Sequence, residues 1–310
     1  MSSVRRALKT FAERAVLHLG GGTVGRWRLA GRALVVAYHN VVPDDAPRIG
    51  DWPVHLPVSQ FLQQVDLLQE IFDIVPLSEV HHVRENSRPV AALTFDDAYL
   101  GAVTLAWDAL RARGLPATCF VTPGLLGGHT FWWDALSPAA DGLDEETRRH
   151  VLAKLQGRDE AARAWARATG RPLRVMPAIG RSADEASLRR AADSGMTLGA
   201  HSWDHPSLPT LDFAALEEQL HSPLAWLRER FSREAIPWIA YPYGLTSPAV
   251  AAATARAGYV GAVVADGGAF APPDVPPHLV PRLTVPASIS ADSFHLWTLG
   301  LRLRQRSGAS

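Results

Sequence analysis

Two short polar segments carry the residues that could do chemistry in this chain. The first is Asp96-Asp97, which ends the predicted strand that begins with the apolar run 90–93, and the second is the pair His201 and His205, which follows the predicted strand 196–200. Adjacent carboxylates repel each other, so a cation or a shared proton is needed nearby. Two imidazoles four residues apart on one turn can reach the same ion. Two histidines and one aspartate would supply three protein ligands and leave an open position, which is the arrangement of catalytic zinc.

Each segment also has an interpretation without chemistry. Asp96 or Asp97 could cap a helix that begins near Tyr99. The chain has 12 histidines, so a pair with this spacing arises easily by chance. Both segments, however, follow predicted strands in the same α/β alternation, and the ends of such strands are the usual place for a site. This shared position favours one joint site.

Strands and helices alternate along most of the chain. Buried strands are predicted at 33–38, 74–77, 90–95, 117–121, 196–200 and 238–241, and helices at 59–72, 99–113 and 186–194. This order predicts a parallel α/β sheet or barrel. Because side chains alternate between the two faces of a strand, Asp96 and Asp97 can face one pocket only if the chain bends off the strand there.

The alternation loosens between about residues 125 and 183. A polar stretch rich in Glu, Arg and Ala, 144–168, predicts helices of its own, and we interpret the whole segment as an insertion over one rim of the fold. We divide the chain into an N-terminal amphipathic helix and linker (1–31), a catalytic domain (32–290) and a C-terminal tail (291–310).

Composition excludes several classes of protein. Lys plus Arg and Asp plus Glu each number 31, so no bulk charge favours nucleic acid. The single cysteine, Cys119, cannot form an intramolecular disulfide, and its predicted strand indicates a buried thiol. Neither a signal peptide nor an apolar run of about 18 residues is evident, so we expect a cytoplasmic protein. We expect the N-terminal helix to pack on the main domain, with peripheral membrane contact as the alternative.

A third segment ends another predicted strand, and the three together resemble a known family. They are Thr-Phe-Asp-Asp at 94–97, His-Ser-Trp-Asp-His-Pro at 201–206 and Tyr-Pro-Tyr-Gly at 241–244. In order and intervening strands they resemble the motifs of polysaccharide deacetylases, carbohydrate esterase family 4 or NodB homology domains, over roughly residues 33–287. The resemblance implies a distorted (β/α)7 barrel. It also implies a hydrolase that removes N-acetyl groups from a saccharide or polysaccharide and releases acetate, with one divalent metal ion, Zn²⁺ above all.

The same resemblance assigns roles to individual residues. Asp97, His201 and His205 would be the metal ligands, and Asp96 would be the catalytic base. The backbone N–H of Tyr243 would face the oxyanion that forms during hydrolysis.

The chain departs from the commoner pattern of this family at two points. The arginine that usually lies two positions before Pro-Tyr is replaced by Ala240, and no Leu-x-His motif follows Tyr243. The Tyr-His pair at the first strand resembles the branch that contains poly-N-acetylglucosamine deacetylases, where an early histidine is the acid. This implies His39 as the acid, with His278 as the alternative, and Arg282 is our candidate to replace the missing arginine.

The aromatic residues and the substrate leave further alternatives. Trp132, Trp133 and Trp203 are candidate platforms for sugar rings, although core packing would explain at least one of them. The same site could hydrolyse another amide or an O-acetyl ester. A non-catalytic saccharide-binding module would fit Ala240 and the missing late histidine, but such a module has no need of metal ligands and a base.

Overall fold

The computed structural model describes residues 29, 31–82, 88–137, 142–265, 270–271 and 275–301. The predicted N-terminal amphipathic helix lies almost wholly outside this part of the chain. Among the described residues, no helix is long and apolar enough to cross a membrane.

Twelve strands form within the described residues. They are β1 (Ala33–Tyr38), β2 (Asn40–Val42), β3 (His55–Pro57), β4 (Asp73–Ile74), β5 (Val90–Phe95), β6 (Thr118–Val121), β7 (Thr197–Ala200), β8 (Ala235–Ala240), β9 (Gly261–Val264), β10 (Phe270–Ala271), β11 (Val280–Pro281) and β12 (Leu283–Thr284).

Nine α-helices accompany these strands in the described part of the chain. They are α1 (Val58–Ile71), α2 (Trp107–Arg111), α3 (Trp132–Ala135), α4 (Glu145–Lys154), α5 (Asp159–Ala168), α6 (Glu185–Asp193), α7 (Phe213–Arg230), α8 (Pro248–Arg256) and α9 (Ala291–Thr298). A π-helical turn, Ala102–Ala106, leads directly into α2.

The main sheet closes on itself. Parallel pairing runs from β1 through β5, β6, β7 and β8 to β9. The segment 280–284 then joins the two edges, because β11 pairs parallel with β9 while β12 pairs parallel with β1. Counting that broken segment as one position, the ring has seven, which confirms the distorted (β/α)7 barrel of the NodB type.

The buried strands explain why this barrel is stable. Every residue of β1 is buried, as expected for a parallel strand covered on both faces. Alternate strand residues pack into a separate cluster that includes Val35, Phe120 and Val263, and such layers fill the interior of a (β/α) barrel. The helices cover the outside, where Phe61 of α1 is fully buried.

The predicted insertion and the predicted tail both contain ordered helices. The polar stretch 144–168 forms α4 and α5, which are separated where Gln156 and Gly157 have positive φ angles of 55° and 69°. Helix α9 begins just after residue 290, and its Phe294 is fully buried. The packed body therefore continues beyond the boundary at which the sequence predicted a tail.

Candidate active site

The chain bends sharply at the end of β5, where the two adjacent carboxylates lie. The backbone N–H of Asp96 still donates to the carbonyl of Tyr38 on β1 (3.0 Å), but Asp97 and Ala98 have φ angles of 70° and 52°. The left-handed region is unusual for residues other than glycine, although aspartate tolerates it better than most. The bend brings both carboxylates to one cavity. The helix that follows has no side-chain cap, so the capping interpretation is wrong.

Asp97, His201 and His205 form a compact triangle of ligand atoms. The Oδ1 atom of Asp97 lies 3.4 Å from Nε2 of His201 and 3.3 Å from Nε2 of His205. The two Nε2 atoms are 3.1 Å apart. Tetrahedral zinc with bonds of about 2.0–2.1 Å places its ligand atoms about 3.3 Å from one another. The triangle therefore has the dimensions of three corners of a zinc site.

Asp97 has the surroundings of a carboxylate that needs a cation. Its Oδ1 is buried and has no hydrogen-bond partner among the described residues. Burial raises the pKa of Asp97 well above its usual range, and the negative charges of Asp96 and Asp134 raise it further. The positive charge of Arg282 lowers this pKa but does not overcome the other effects. A cation bound at the ligand triangle would therefore stabilise the ionised form of Asp97.

The two histidines are held in the form that binds metal. Nδ1 of His201 donates to the carbonyl oxygen of Ala240 (2.7 Å), which leaves Nε2 free to act as a ligand. Burial lowers the pKa of His201 to about 4 and moves the pKa of His205 well below its ordinary value. Both rings are therefore neutral near pH 7, as metal coordination requires. The backbone of Ala240 therefore orients the ring of His201.

Asp96 is paired with Arg282 through both oxygens. Nη1 of Arg282 lies 2.7 Å from Oδ1, and Nη2 lies 2.7 Å from Oδ2. Burial by itself raises the pKa of Asp96, but the charge and hydrogen bonds of Arg282 outweigh it, so the pKa lies below its usual range. Arg282 occupies the break between β11 and β12, at the seam that closes the barrel. The structure thus places the guanidinium of Arg282 against the carboxylate of Asp96.

One cavity of about 320 Å³ contains the predicted catalytic residues. Its walls include Asp51, Pro53, Val54, Trp133, Arg148, Leu152, Gly244, Ala265 and Thr284 beside His39, Asp96, Asp97, His201, His205, Tyr243 and Arg282. The described residues lining it do not include His278, whose Nε2 instead donates to the carbonyl of Tyr259 (2.9 Å).

His39 is half-buried at the end of β1. Burial lowers its pKa, and the negative charge of Asp96 opposes that effect. A lowered pKa makes a protonated imidazole a stronger acid, although a smaller fraction of the rings carries the proton at neutral pH.

Comparison with known proteins agrees with this geometry. Residues 83–262, more than half of the chain, match the family described as polysaccharide deacetylase. The chain belongs to this family. It is therefore an enzyme that removes acetyl groups from saccharides. No curated protein matches the sequence.

Several solved structures of deacetylases share the fold. IcaB from Ammonifex degensii has a TM-score of 0.59 at 18% identity, covering 88% of this chain and 98% of its own. The deacetylase PplD from Streptococcus pyogenes has a TM-score of 0.58 at 16% identity, with coverage of 86% and 98%. The BpsB deacetylase domain from Bordetella bronchiseptica has a TM-score of 0.53 at 18% identity, with coverage of 82% and 96%.

The three tryptophans predicted as sugar platforms occupy different places in this deacetylase. Trp133 lines the cavity. Trp132 is only 1% exposed and donates through Nε1 to the hydroxyl of Tyr243 (3.0 Å). Trp203 is half-buried beside Gly124, whose N–H donates to its carbonyl (2.8 Å). A platform must present a ring face to the substrate, whereas the ring of Trp132 is enclosed by protein, which agrees with the core-packing alternative.

A buried network behind the cavity was missed by the sequence analysis. Oδ1 of Asp134 accepts from the N–H of Asp51 (2.8 Å) and contacts Nε2 of His55 (2.9 Å). Its Oδ2 accepts from the hydroxyl of Tyr99 (2.7 Å), which in turn accepts from Nε1 of Trp133 (2.8 Å). The network fixes the indole of Trp133. Its only sequence signal is an aspartate that directly follows an aromatic run.

The indole held in this way packs on a predicted metal ligand. The ring of His205 lies 4.9 Å from that of Trp133 and 4.5 Å from that of Tyr243, measured between centroids. Its Nδ1 is buried and has no hydrogen-bond partner among the described residues. His201 is thus oriented by a hydrogen bond, whereas His205 is oriented by aromatic packing.

Proposed function

We propose that this deacetylase is a metal-dependent N-deacetylase, which hydrolyses the acetamide of an amino sugar to acetate and an amine. The observation that carries the proposal is the pairing of two unlike carboxylates at one cavity. Asp97 lies with two neutral histidines, while Asp96 lies against an arginine. A metal ligand and a general base need these two environments.

Asp97, His201 and His205 would hold one divalent ion. Two imidazole nitrogens and one carboxylate oxygen are a donor set that zinc favours, and three protein ligands leave a position open for water or substrate. When bound, such an ion lowers the pKa of water and polarises a carbonyl group.

Asp96 is the proposed base. Its low pKa keeps it ionised, and Arg282 fixes its orientation, so its carboxylate can take one proton from the attacking water. The water oxygen bonds to the acetamide carbon, and the carbonyl oxygen becomes an oxyanion. The backbone N–H of Tyr243 is our candidate donor to that oxyanion.

His39 is the proposed acid. An amide nitrogen leaves poorly unless it is protonated, so an acid must act as the C–N bond breaks. Protonated His39 gives its proton to that nitrogen, and the products are acetate and the sugar amine. Asp96 is then protonated and His39 is neutral, and one proton exchanged through solvent restores the starting state.

Acetate release tests the proposal. We expect the purified protein, supplied with zinc, to release acetate from N-acetylglucosamine oligomers, and we expect this activity to disappear after chelation. Cleavage of O-acetyl esters alone, with N-acetyl sugars left intact in the presence of zinc, would show that the site is an esterase. A saccharide-binding module would bind the oligomers without releasing acetate.

A further inference from the structure

The inserted segment is anchored on one side of the cavity by a buried aspartate. We call residues 142–158 the roof. Nη2 of Arg148 in the roof lies 2.6 Å from Oδ2 of Asp51, which precedes β3. Oδ1 of the same carboxylate accepts from the N–H of Leu143 (3.1 Å). The side chain of Asp51 is 3% exposed, so this ion pair is shielded from solvent on the Asp51 side, unlike a salt bridge between two surface side chains.

The roof is anchored again on the opposite side. The carbonyl of Gly157 accepts from the hydroxyl of Tyr243 (2.8 Å), and the carbonyl of Gln156 accepts from the N–H of Ser207 (2.7 Å). The side-chain amide of Gln156 also donates to the carbonyl of Thr210 (2.9 Å). These partners follow β7 and β8, whereas Asp51 lies between β2 and β3. The two sets of anchors therefore lie at different parts of the barrel rim.

Helix α4 spans the distance between the two anchors. Its residues Arg148 and Leu152, one turn apart, line the cavity together with the ligand triangle. The cavity volume of about 320 Å³ lies at the small end of the range for ligand pockets. A saccharide bound at an interior sugar extends out of the cavity in two directions. The roof and its anchors block part of the rim of the cavity mouth through which it would have to leave.

We propose that the roof restricts this enzyme to an acetylated amino sugar at the end of a saccharide, attached through one glycosidic bond. This inference rests on the proposed N-deacetylase function. The terminal ring enters the cavity with its acetamide at the ligand triangle, and the rest of the chain leaves through the mouth. Sugars linked on both sides are excluded because one neighbour would collide with the roof.

Arg148 is the specificity-determining residue in this proposal. Its side chain is 33% exposed, and its guanidinium bridges the roof to Asp51. Replacing it with alanine removes the bridge and its bulk from the cavity wall, while the N–H of Leu143 still holds Asp51. Arg149 provides a matched control, because it lies on the same helix with its side chain 70% exposed and contacts Glu145 at 3.9 Å.

The test counts and locates the acetyl groups removed from defined oligomers. The wild-type enzyme, Arg148→Ala and Arg149→Ala are each loaded with zinc and given β-1,4-linked and β-1,6-linked N-acetylglucosamine pentamers. Products are mapped by fragmentation mass spectrometry. We expect wild type and Arg149→Ala to remove acetyl groups only from terminal sugars, and Arg148→Ala to remove acetyl groups from interior sugars as well.

Each outcome decides a different question. Interior deacetylation by wild type would overturn the terminal restriction and leave the proposed N-deacetylase function intact. Terminal products from both wild type and Arg148→Ala would overturn the assignment of the restriction to the Arg148–Asp51 bridge. If no acetate is released from any pentamer, even from terminal sugars, the proposed N-deacetylase function is contradicted. The terminal restriction, which rests on that function, is then contradicted too.

Discussion

Asp96 and Asp97 are neighbours in the chain, yet their carboxylates lie in different electrostatic surroundings on two sides of the cavity. On one side, both oxygens of Asp96 are held by Arg282. On the other, Oδ1 of Asp97 has no hydrogen-bond partner in the part of the chain that the structure describes, and it faces two neutral histidines. Burial raises the pKa of both carboxyls, and only Asp96 has a protein cation that overcomes it. In the proposed roles, the protein supplies the counter-ion of the base, Asp96, and a bound metal ion would supply the counter-ion of the ligand, Asp97.

Loss of the ion from the histidine side should have the largest effect. We expect a chelator to abolish acetate release, because Asp97, His201 and His205 would then hold no Lewis acid, and zinc, cobalt or nickel should restore it. His205→Ala should lose metal. Its activity should fall by more than about 100-fold, the upper end of the loss expected for residues that only hydrogen-bond to a metal ligand. Full activity in a sample shown by metal analysis to be metal-free would contradict this prediction.

Removal of the base on the arginine side should come next. Asp96→Asn keeps the shape of the side chain but cannot take a proton, so kcat should fall by about 10²–10⁴-fold, the usual contribution of a general base. The variant should still bind metal. If it lost metal, and recovered its activity when excess metal was added, the roles of Asp96 and Asp97 would be reversed.

The variant His39→Ala should separate the role of the proposed acid from that of the proposed base, Asp96. We expect metal to be retained and kcat on an N-acetyl sugar to fall by about 10²-fold, the lower end for general acid–base catalysis. An aryl acetate should be affected less, because its leaving group departs without protonation. Equal losses on the amide and the ester would indicate that His39 positions the site and does not donate the proton. His278→Ala is the control, since that ring lies outside the described cavity wall.

The smallest effect should come from the network behind His205. Tyr99→Phe removes the hydrogen bonds that join Asp134 to the indole of Trp133, so the packing on His205 should loosen. We expect zinc affinity to fall by about 10-fold, as for other groups that support a ligand. Tyr259→Phe also removes a buried hydrogen bond, to the carbonyl of Leu220, but away from the site. Equal zinc affinities for the two variants would refute the supporting role.

The sequence could predict those parts of the site that depend on residues close together in the chain. Apolar runs ending in Asp96-Asp97 and in His201 indicated strand ends, and parallel strand ends meet at one rim. The bend after β5 was predicted for the same reason, since alternation on a strand would separate the two carboxylates. The barrel followed from the alternation of strands and helices together with the family motifs.

Other parts depend on contacts between distant residues. Arg282 reaches Asp96 across 186 positions, and only the absence of an arginine at position 240 made it a candidate. The network of Asp134 joins residues up to 83 positions apart and has no motif of its own. The sequence could not decide between the two roles of Trp132, because composition cannot tell an enclosed indole from one that lines a cavity.

The metal content of two single variants tests the central claim most directly. Wild type, Asp96→Asn and Asp97→Asn are purified with zinc, dialysed together and analysed by inductively coupled plasma mass spectrometry. The different surroundings of the two carboxylates predict about one zinc ion per chain for wild type and Asp96→Asn, and far less for Asp97→Asn. Equal zinc in all three proteins, or zinc lost from Asp96→Asn and kept by Asp97→Asn, would contradict the division of labour between these neighbouring residues.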